Sequence, residues 1–473
     1  MAAWFSRWLG KSSSNSRKSS ESLTHSPSGV AVLTDEMPVP KPIGAFELDS
    51  AASVNSTLAS LTGVEGALMD TFAVRRPLIG SHGSLAGFEL SLHNHLGVRL
   101  QAHPKALSAY AVALLSAAQS ISEAGRSVLL TLPGELILSP PMAERVPQGA
   151  WLVMRPWADG QQAQKILAGL RSKGVRVGCV VDEASSTGVH PDFVRLSWNP
   201  DDPDSLLEQI ADFQGRYPNC PLVATEINNI DNLERVLRCR VALASGCLER
   251  SLVPNPVAKQ RPVQPGAVRL LHLLNEVMTA ETNQLAANIS MDVVLSYKLL
   301  RFVNSPAMGL SRAIDSIDQA VMMLGRKEIY RWISVLILAS SDGLQASWAI
   351  QEVALWRGRL MEGLAQIGDR ADTPPAVLFT VGLLSLLDVL LQVPLQQALQ
   401  PLNLSAPAMG ALLERSGPWA SYLNLVLALE TQQNERALEL AHQFGGLAKV
   451  IEVSDEAWIW AAEAIASIRA SSQ

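Results

Sequence analysis

Few side chains in this sequence are grouped as chemistry requires. His93-Asn94-His95 places two imidazoles at i, i+2, and two histidines so spaced on a strand end can share a metal ion. No cysteine or acid cluster accompanies them, so a solvated loop is the preferred reading. Cys179, Cys220, Cys239 and Cys247 are scattered with no C-x-x-C pair, which fits a reducing cytosol without a disulfide framework. There is no G-x-S-x-G elbow for Ser–His–Asp catalysis. No G-x-G-x-x-G follows a first strand to cradle a dinucleotide. Asn304-Ser305 is a polar pair set tightly after an apolar helix. Read for function it is an exposed partner-contact loop; read for structure it is a helix terminus, with Asn304 in a left-handed or capping role. Lys298, Arg301, Arg312, Arg326, Lys327 and Arg331 line a basic stripe or simply a solvated face.

The elements that must position these groups are clearest from Leu285 to Trp332. Leu285 and Ile289 sit four apart, one apolar stripe of a helix. Asp292 suits an N-cap, and Leu295, Leu299, Phe302 and Val303 follow at helical spacing. Asn304-Ser305-Pro306 ends that helix, because proline disfavours helical geometry in the residue before it. Ser316 and Gln319 have the S-x-x-Q spacing of a capping box ahead of Ala320, Val321 and Leu324. Gly325 fits the left-handed position past a helix end, and Ile329, Trp332, Ile333 and Leu336 share the face of a further helix. The blocks D-x-x-L-S-x-K-L-L-R-x-V-N-S-P and S-I-x-x-A-V-x-x-L-G-R-K resemble the core of the HDOD domain, an all-helical relative of the HD phosphohydrolases whose members lack the metal-binding His-Asp pair. The resemblance covers roughly Arg261 to Ala466.

A chain of 473 residues with 48% hydrophobic composition has enough apolar surface for two or three domains. The net charge of -6 does not favour nucleic acid. Residues 1–62 read as a Ser-rich tail unable to offset its ordering entropy; within it, Trp4, Phe5, Trp8 and Leu9 could form an amphipathic turn making weak peripheral contact with a membrane or a partner. No segment has the length of a membrane span: Ala376 to Leu391 is broken by Ser385 and Asp388 and reads as a buried helix. From residue 66 to 252, strand-like runs (Leu68 to Val74, Leu85 to Leu92, Ser127 to Leu132, Trp151 to Met154, Val175 to Val181, Phe193 to Trp198, Pro221 to Thr225, Val241 to Ala244) alternate with helix-like ones (Pro104 to Ala124, Gln161 to Ser172, Asp204 to Arg216, Ile230 to Arg238). That alternation implies a parallel sheet with crossovers, closed as a β/α barrel or open and doubly wound. A proline-rich linker, 253–265, then leads into helices only, 266–466.

A second resemblance attaches to the alternating half. Val74-Arg75-Arg76-Pro77-Leu78-Ile79 and Gly87-Phe88-Glu89-Leu90-Ser91-Leu92 look like the opening of an EAL domain. Asp182-Glu183, Gly188, Pro191 to Ser197, Leu222 to Asn229 and Ser245-Gly246 resemble its later blocks. The resemblance implies a TIM-like barrel whose active members cleave cyclic di-GMP with metal ions held by carboxylates, an asparagine and a glutamine. Against that pattern Glu89 falls at the first glutamate and Asp182-Glu183 at the paired aspartates. The remaining positions are altered: Thr131 for an asparagine, Arg155 for a ligand glutamate, Arg195 for the catalytic lysine, Ser197 for an aspartate, Asn228 for a late glutamate, Ser245 for a glutamine, and His93 for a phosphate-gripping arginine. In the helical half, His272 and His442 are followed by Leu273 and Gln443, and Gly382-Leu383-Leu384-Ser385-Leu386 stands where an HD relative shows G-L-L-H-D.

The fold expected is therefore a degenerate EAL-type barrel followed by an HD-related helical bundle. The function expected is a non-catalytic, cytoplasmic signalling adaptor linked to cyclic di-GMP or two-component signalling. No catalytic residue, metal or cofactor is expected, and the vestigial positions are Glu89, Asp182, Glu183 and Arg195. The partners expected are signalling proteins, with no nucleic acid and no membrane span. The alternatives are a divergent cyclic di-GMP phosphodiesterase, or a receptor that binds the dinucleotide through Arg75 or Arg76 without cleaving it.

Overall fold

The computed structural model describes residues 75–90, 104–155, 160–181, 191–199, 202, 204–249, 265–304, 314–338, 344–367, 374–402, 404–431 and 433–472. The N-terminal tail, the Leu68 to Val74 run, His93, Asp182, Glu183, the linker as far as residue 264, Ser305 and Arg312 lie outside them.

Eight strands close into a barrel in the order β1-β2-β3-β4-β5-β6-β7-β8: β1 Arg76–Gly80, β2 Leu85–Leu90, β3 Ser127–Pro133, β4 Trp151–Arg155, β5 Arg176–Val180, β6 Phe193–Ser197, β7 Leu222–Ile227 and β8 Leu243–Gly246. The open-sheet alternative is thereby excluded. The expected parallel sheet needs one correction: β1 runs antiparallel to both neighbours. Only Ser81 to Ser84 separate β1 from β2, and so short a connection permits a hairpin but no crossover. Gly83 takes φ 71° in that turn, a value side chains disfavour.

Side chains alternate across each strand. Leu78, Leu129, Trp151, Val153, Phe193, Val223 and Leu243 point inward and fill the bore as their own apolar cluster. The outward set packs under the crossover helices α1 Pro104–Glu123, α2 Gly134–Ile137, α3 Pro140–Arg145, α4 Gln161–Ser172, α5 Ser205–Arg216 and α6 Ile230–Arg238. The short pair α2 and α3 has too few turns to show helical periodicity.

The helical half comprises α7 Pro265–Thr279, α8 Thr282–Ser290, α9 Val293–Val303, α10 Ile317–Leu338, α11 Ser347–Ile367, α12 Pro375–Leu384, α13 Leu387–Leu391, α14 Leu395–Leu399, α15 Ala406–Met409, α16 Ala420–Glu430, α17 Asn434–Ala441 and α18 Leu447–Ser472. The expected caps are present: Asp292 accepts from Leu295 N–H at 3.0 Å, and Ser316 Oγ from Gln319 N–H at 3.1 Å. Gly325 has the positive φ expected, 73°, but its ψ of 165° bends α10 at an extended glycine instead of closing a left-handed cap. Ala376 to Leu391 divides between α12 and α13, both largely buried. Among the described residues no helix is long and apolar enough to cross a membrane.

α11 is buried on nearly every side, as a central helix must be. It meets α12 through paired glycines: a Cβ on Gly358 would fall 2.8 Å from Phe379 O, and one on Gly382 2.6 Å from Arg357 O. The outward barrel residues and the helical half belong to one continuous apolar cluster running from Ile79 to Ile465.

Candidate functional site

Strand parity carries Arg76, Glu89, Thr131, Arg155, Arg195, Ser197, Thr225 and Ser245 to the inward face of the barrel at one end, consistent with the pairings Arg76↔Glu89, Leu78↔Ser245, Pro133↔Arg155 and Ser197↔Thr225. Two polar groups occupy this mouth. In the first, Glu89 is 1% exposed; it accepts from Ser245 Oγ at 2.5 Å and from Arg76 Nη1 at 3.4 Å. In the second, the Arg195 guanidinium donates to Thr225 Oγ1 (3.0 Å), Thr131 Oγ1 (2.8 Å), Ser197 Oγ (3.2 Å) and Glu226 Oε1 (3.3 Å). Arg155 continues the inward parity of Val153 to the exposed rim.

Sequence reading missed Glu226 and Thr225. Thr225 carries no signal beyond strand alternation. Glu226 has φ 64°, unusual for a side-chain-bearing residue, at a bulge where the β7–β8 register shifts between Ala224 and Ile227. The bulge turns its carboxylate onto Arg195, and nothing in Thr-Glu-Ile announces that. Asn228 lies beyond the mouth, accepting from Asn229 and Asn232 at the start of α6.

A pair of divalent ions needs several anionic oxygens converging without a cation among them. Among the described residues the mouth offers Glu89 and Glu226, each ion-paired to an arginine. No three His, Cys, Asp or Glu side chains are grouped so that they could hold a metal ion among those residues. The Arg195 guanidinium lies amid the hydroxyls of Thr131, Ser197 and Thr225, so the described part of the mouth does not by itself supply such a donor set, and Asp182 and Glu183 lie outside it.

The helical half repeats the pattern. Ser385, expected from the resemblance at the HD-type histidine position, donates to Gly382 O at 2.6 Å and accepts from Arg357 Nη1 at 3.0 Å. Arg357 pairs with Glu430 at 2.7 Å, side chains 0% and 1% exposed. Burial disfavours the Arg357 charge, but the Glu430 carboxylate offsets it and holds the guanidinium above its ordinary pKa. Burial, reinforced by Glu430, pushes the nearby Cys247 thiol up to about 12, so it stays protonated. His272 and His442 are both exposed, outside this core.

The two cores are joined through one wall of the barrel. On β1, Arg76 turns to Glu89 while its neighbour Arg75 pairs with Asp455 of α18 at 2.6 Å. On β2, Glu89 faces the mouth while Phe88 meets the Trp458 ring edge-on at 4.8 Å, and Trp458 stacks on Trp356 at 4.5 Å. Beyond β8, Glu249 pairs with Arg415 at 2.9 Å. Elsewhere Arg126 pairs with Glu352, and Glu234 accepts from Gln345 N–H and Ala346 N–H, both at 2.8 Å, capping the entry to α11 from the other half.

Asn304 takes the capping role, as the C-cap of α9, with φ -82° in place of left-handed geometry. Its amide donates to Ile314 O at 2.5 Å and accepts from Ile314 N–H at 2.6 Å, tying the end of α9 to residue 314. Arg331 leaves the proposed basic stripe: it is 11% exposed and pairs with Glu362 at 2.5 Å.

A closed eight-stranded barrel backed by a helical bundle, with a hydrogen-bonded arginine at the barrel mouth and another buried in the bundle, defines a two-part protein. Within the helical part, residues 262–414 match the model of the HDOD domain family. The chain is 35% identical over 175 residues to the uncharacterized protein YuxH of Bacillus subtilis, covering 36% of this chain and 42% of YuxH. It is 32% identical over 172 residues to the cyclic di-GMP phosphodiesterase CdgJ of Vibrio cholerae, covering 36% of this chain and 39% of that protein. The matches thus span about two fifths of each relative's length. Among solved structures, the EAL domain of Xanthomonas citri FimX in complex with c-diGMP aligns at TM-score 0.32 and 16% identity, covering 42% of this chain and 94% of that one. An EAL domain protein of Listeria monocytogenes aligns at 0.30 and 12%, covering 39% and 90%.

Proposed function

We propose that this protein is a non-catalytic signalling adaptor that works in the cytoplasm by binding other proteins, in a pathway linked to cyclic di-GMP or to two-component signalling. The observation that carries the reading is the Arg195 guanidinium held by Thr131, Thr225, Ser197 and Glu226 at the barrel mouth. At 4 Å and a moderate effective dielectric, repulsion is about 4 kcal/mol per unit of like charge, so a divalent ion beside this guanidinium would be disfavoured by roughly 8 kcal/mol before any ligand is counted. The buried Arg357 guanidinium supports the same reading for the bundle. Cyclic di-GMP enters through the name of the relative CdgJ and the EAL resemblance. For that reason hydrolysis is the reading an assay must defeat.

The decisive test incubates the purified full chain with cyclic di-GMP and either Mg²⁺ or Mn²⁺. No linear dinucleotide above the metal-only control is expected. Turnover at an ordinary enzyme's rate that disappears in Glu89→Ala would overturn the proposal. Calorimetry on the same sample distinguishes a receptor, whose submicromolar binding would be lost in Arg76→Ala.

A further inference from the structure

Five of the exposed large hydrophobic residues among those described fall between Met291 and Met323, inside the HDOD match. Three belong to one surface: Met291 (74% exposed) at the end of α8, and Val293 (81%) and Tyr297 (63%) on α9. Val293, Tyr297 and Arg301 recur every fourth residue, so they form one stripe about 12 Å long. Arg301 is exposed at its end and Lys298 beside it, and Val293 to Val303 contains no acid. The carboxylate that opens the helix, Asp292, is engaged by Leu295 N–H and lies 3.6 Å from Arg269. The opposite face of α9, Leu295, Leu299, Phe302 and Val303, is at most 4% exposed, so the stripe sits on an anchored helix.

We propose that this face of α9 docks an acidic amphipathic helix of a partner protein. The inference rests on the adaptor reading and assigns it a surface. An apolar seam at four-residue spacing is the shape a second helix packs against. Met and Tyr are residue types that interfaces concentrate. Two exposed cations on the edge, with no ion pair among the described residues, fit glutamates or aspartates flanking the incoming seam. An anionic bilayer is the poorer occupant, since its recognition takes a cluster of roughly four to eight cations.

The test uses the full chain and a fluorescein-labelled helical peptide with leucine at its a and d positions and glutamate at most others, read by anisotropy. Tyr297→Ala and Val293→Ser should each weaken binding about ten-fold, and Lys298→Glu/Arg301→Glu should weaken it further at low salt. The same double variant should gain affinity for a peptide with lysine in place of glutamate. Ile459→Ser, at an exposed apolar site on α18, should change nothing. Circular dichroism and melting temperature should stay at wild-type values, because the replaced side chains are in solvent. Peptide binding that is absent, or indifferent to these substitutions, overturns the proposal. So does binding to phosphatidylserine vesicles that the variants abolish while peptide binding persists. A photoreactive phenylalanine analogue at position 297 in the native cell carries the second arm, expected to crosslink an acidic amphipathic segment. Partners recovered by the full chain but never crosslinked there would sink the α9 surface and leave the adaptor reading intact; turnover of the dinucleotide would sink that reading instead.

Discussion

Arg357 and Glu430 show what pairing does for two buried charges. Neither can be removed alone without stranding the other in an apolar core. Arg357→Met should destabilise the fold by roughly 3–5 kcal/mol, and Arg357→Met/Glu430→Leu by much less, measured as urea midpoints. Glu328 gives a titrating counterpart. Burial raises its carboxyl to about 7, with Arg331 pulling it down and Glu362 pushing it up; Lys327 and Arg359 complete the surrounding charges. Because the folded-state value lies above the unfolded one, the proton is held more tightly in the native protein. The stabilisation is therefore complete below pH 4–5 and is lost as pH rises through about 7. Glu328→Gln should flatten this part of the stability–pH curve and be the more stable form at pH 8 by about 1–3 kcal/mol.

At the scale of elements, the N-terminal end of α11 is the junction. Its entry is capped by Glu234, 5% exposed and belonging to α6 of the barrel, and Ala349 N–H donates to Gly83 O at 3.0 Å. A carboxylate on two backbone amides at a helix start is favoured by hydrogen bonding and by the helix dipole together. Glu234→Ala should cost about 1–2 kcal/mol and speed amide hydrogen exchange at residues 345–349. Gly83→Ala should cost more than ~2 kcal/mol, because a Cβ there would lie 1.6 Å from Gln345 O and the backbone stands at φ 71°. A normal midpoint for that variant would mean the hairpin tip does not seat on α11.

For the whole molecule, a shared core leaves no natural cleavage plane. Phe88, Leu248, Trp356 and Trp458 belong to a single cluster spanning both halves. Tryptophan fluorescence and far-ultraviolet circular dichroism should therefore report one coincident unfolding transition. Two separated transitions would show that barrel and bundle fold independently. The same wall places Arg76, Glu89 and Ser245 at the mouth and their strand neighbours against α18 and the bundle, so the arginine-filled mouth is backed directly by the helical half.

Much of this protein was determined by short-range sequence. Apolar spacing and capping side chains set α9 and the start of α10, because those forces act within four residues. The strand–helix alternation likewise marked seven of the eight strands. What only tertiary structure decided are contacts between residues far apart: Glu234 with Gln345 at 111 positions' separation, Arg75 with Asp455 at 380. The antiparallel β1, the bulge that aims Glu226 at Arg195, and the withdrawal of Arg331 from the surface belong to the same class. Each depends on which backbone or charge arrives from elsewhere to satisfy a polar group removed from water, and no local window contains that partner.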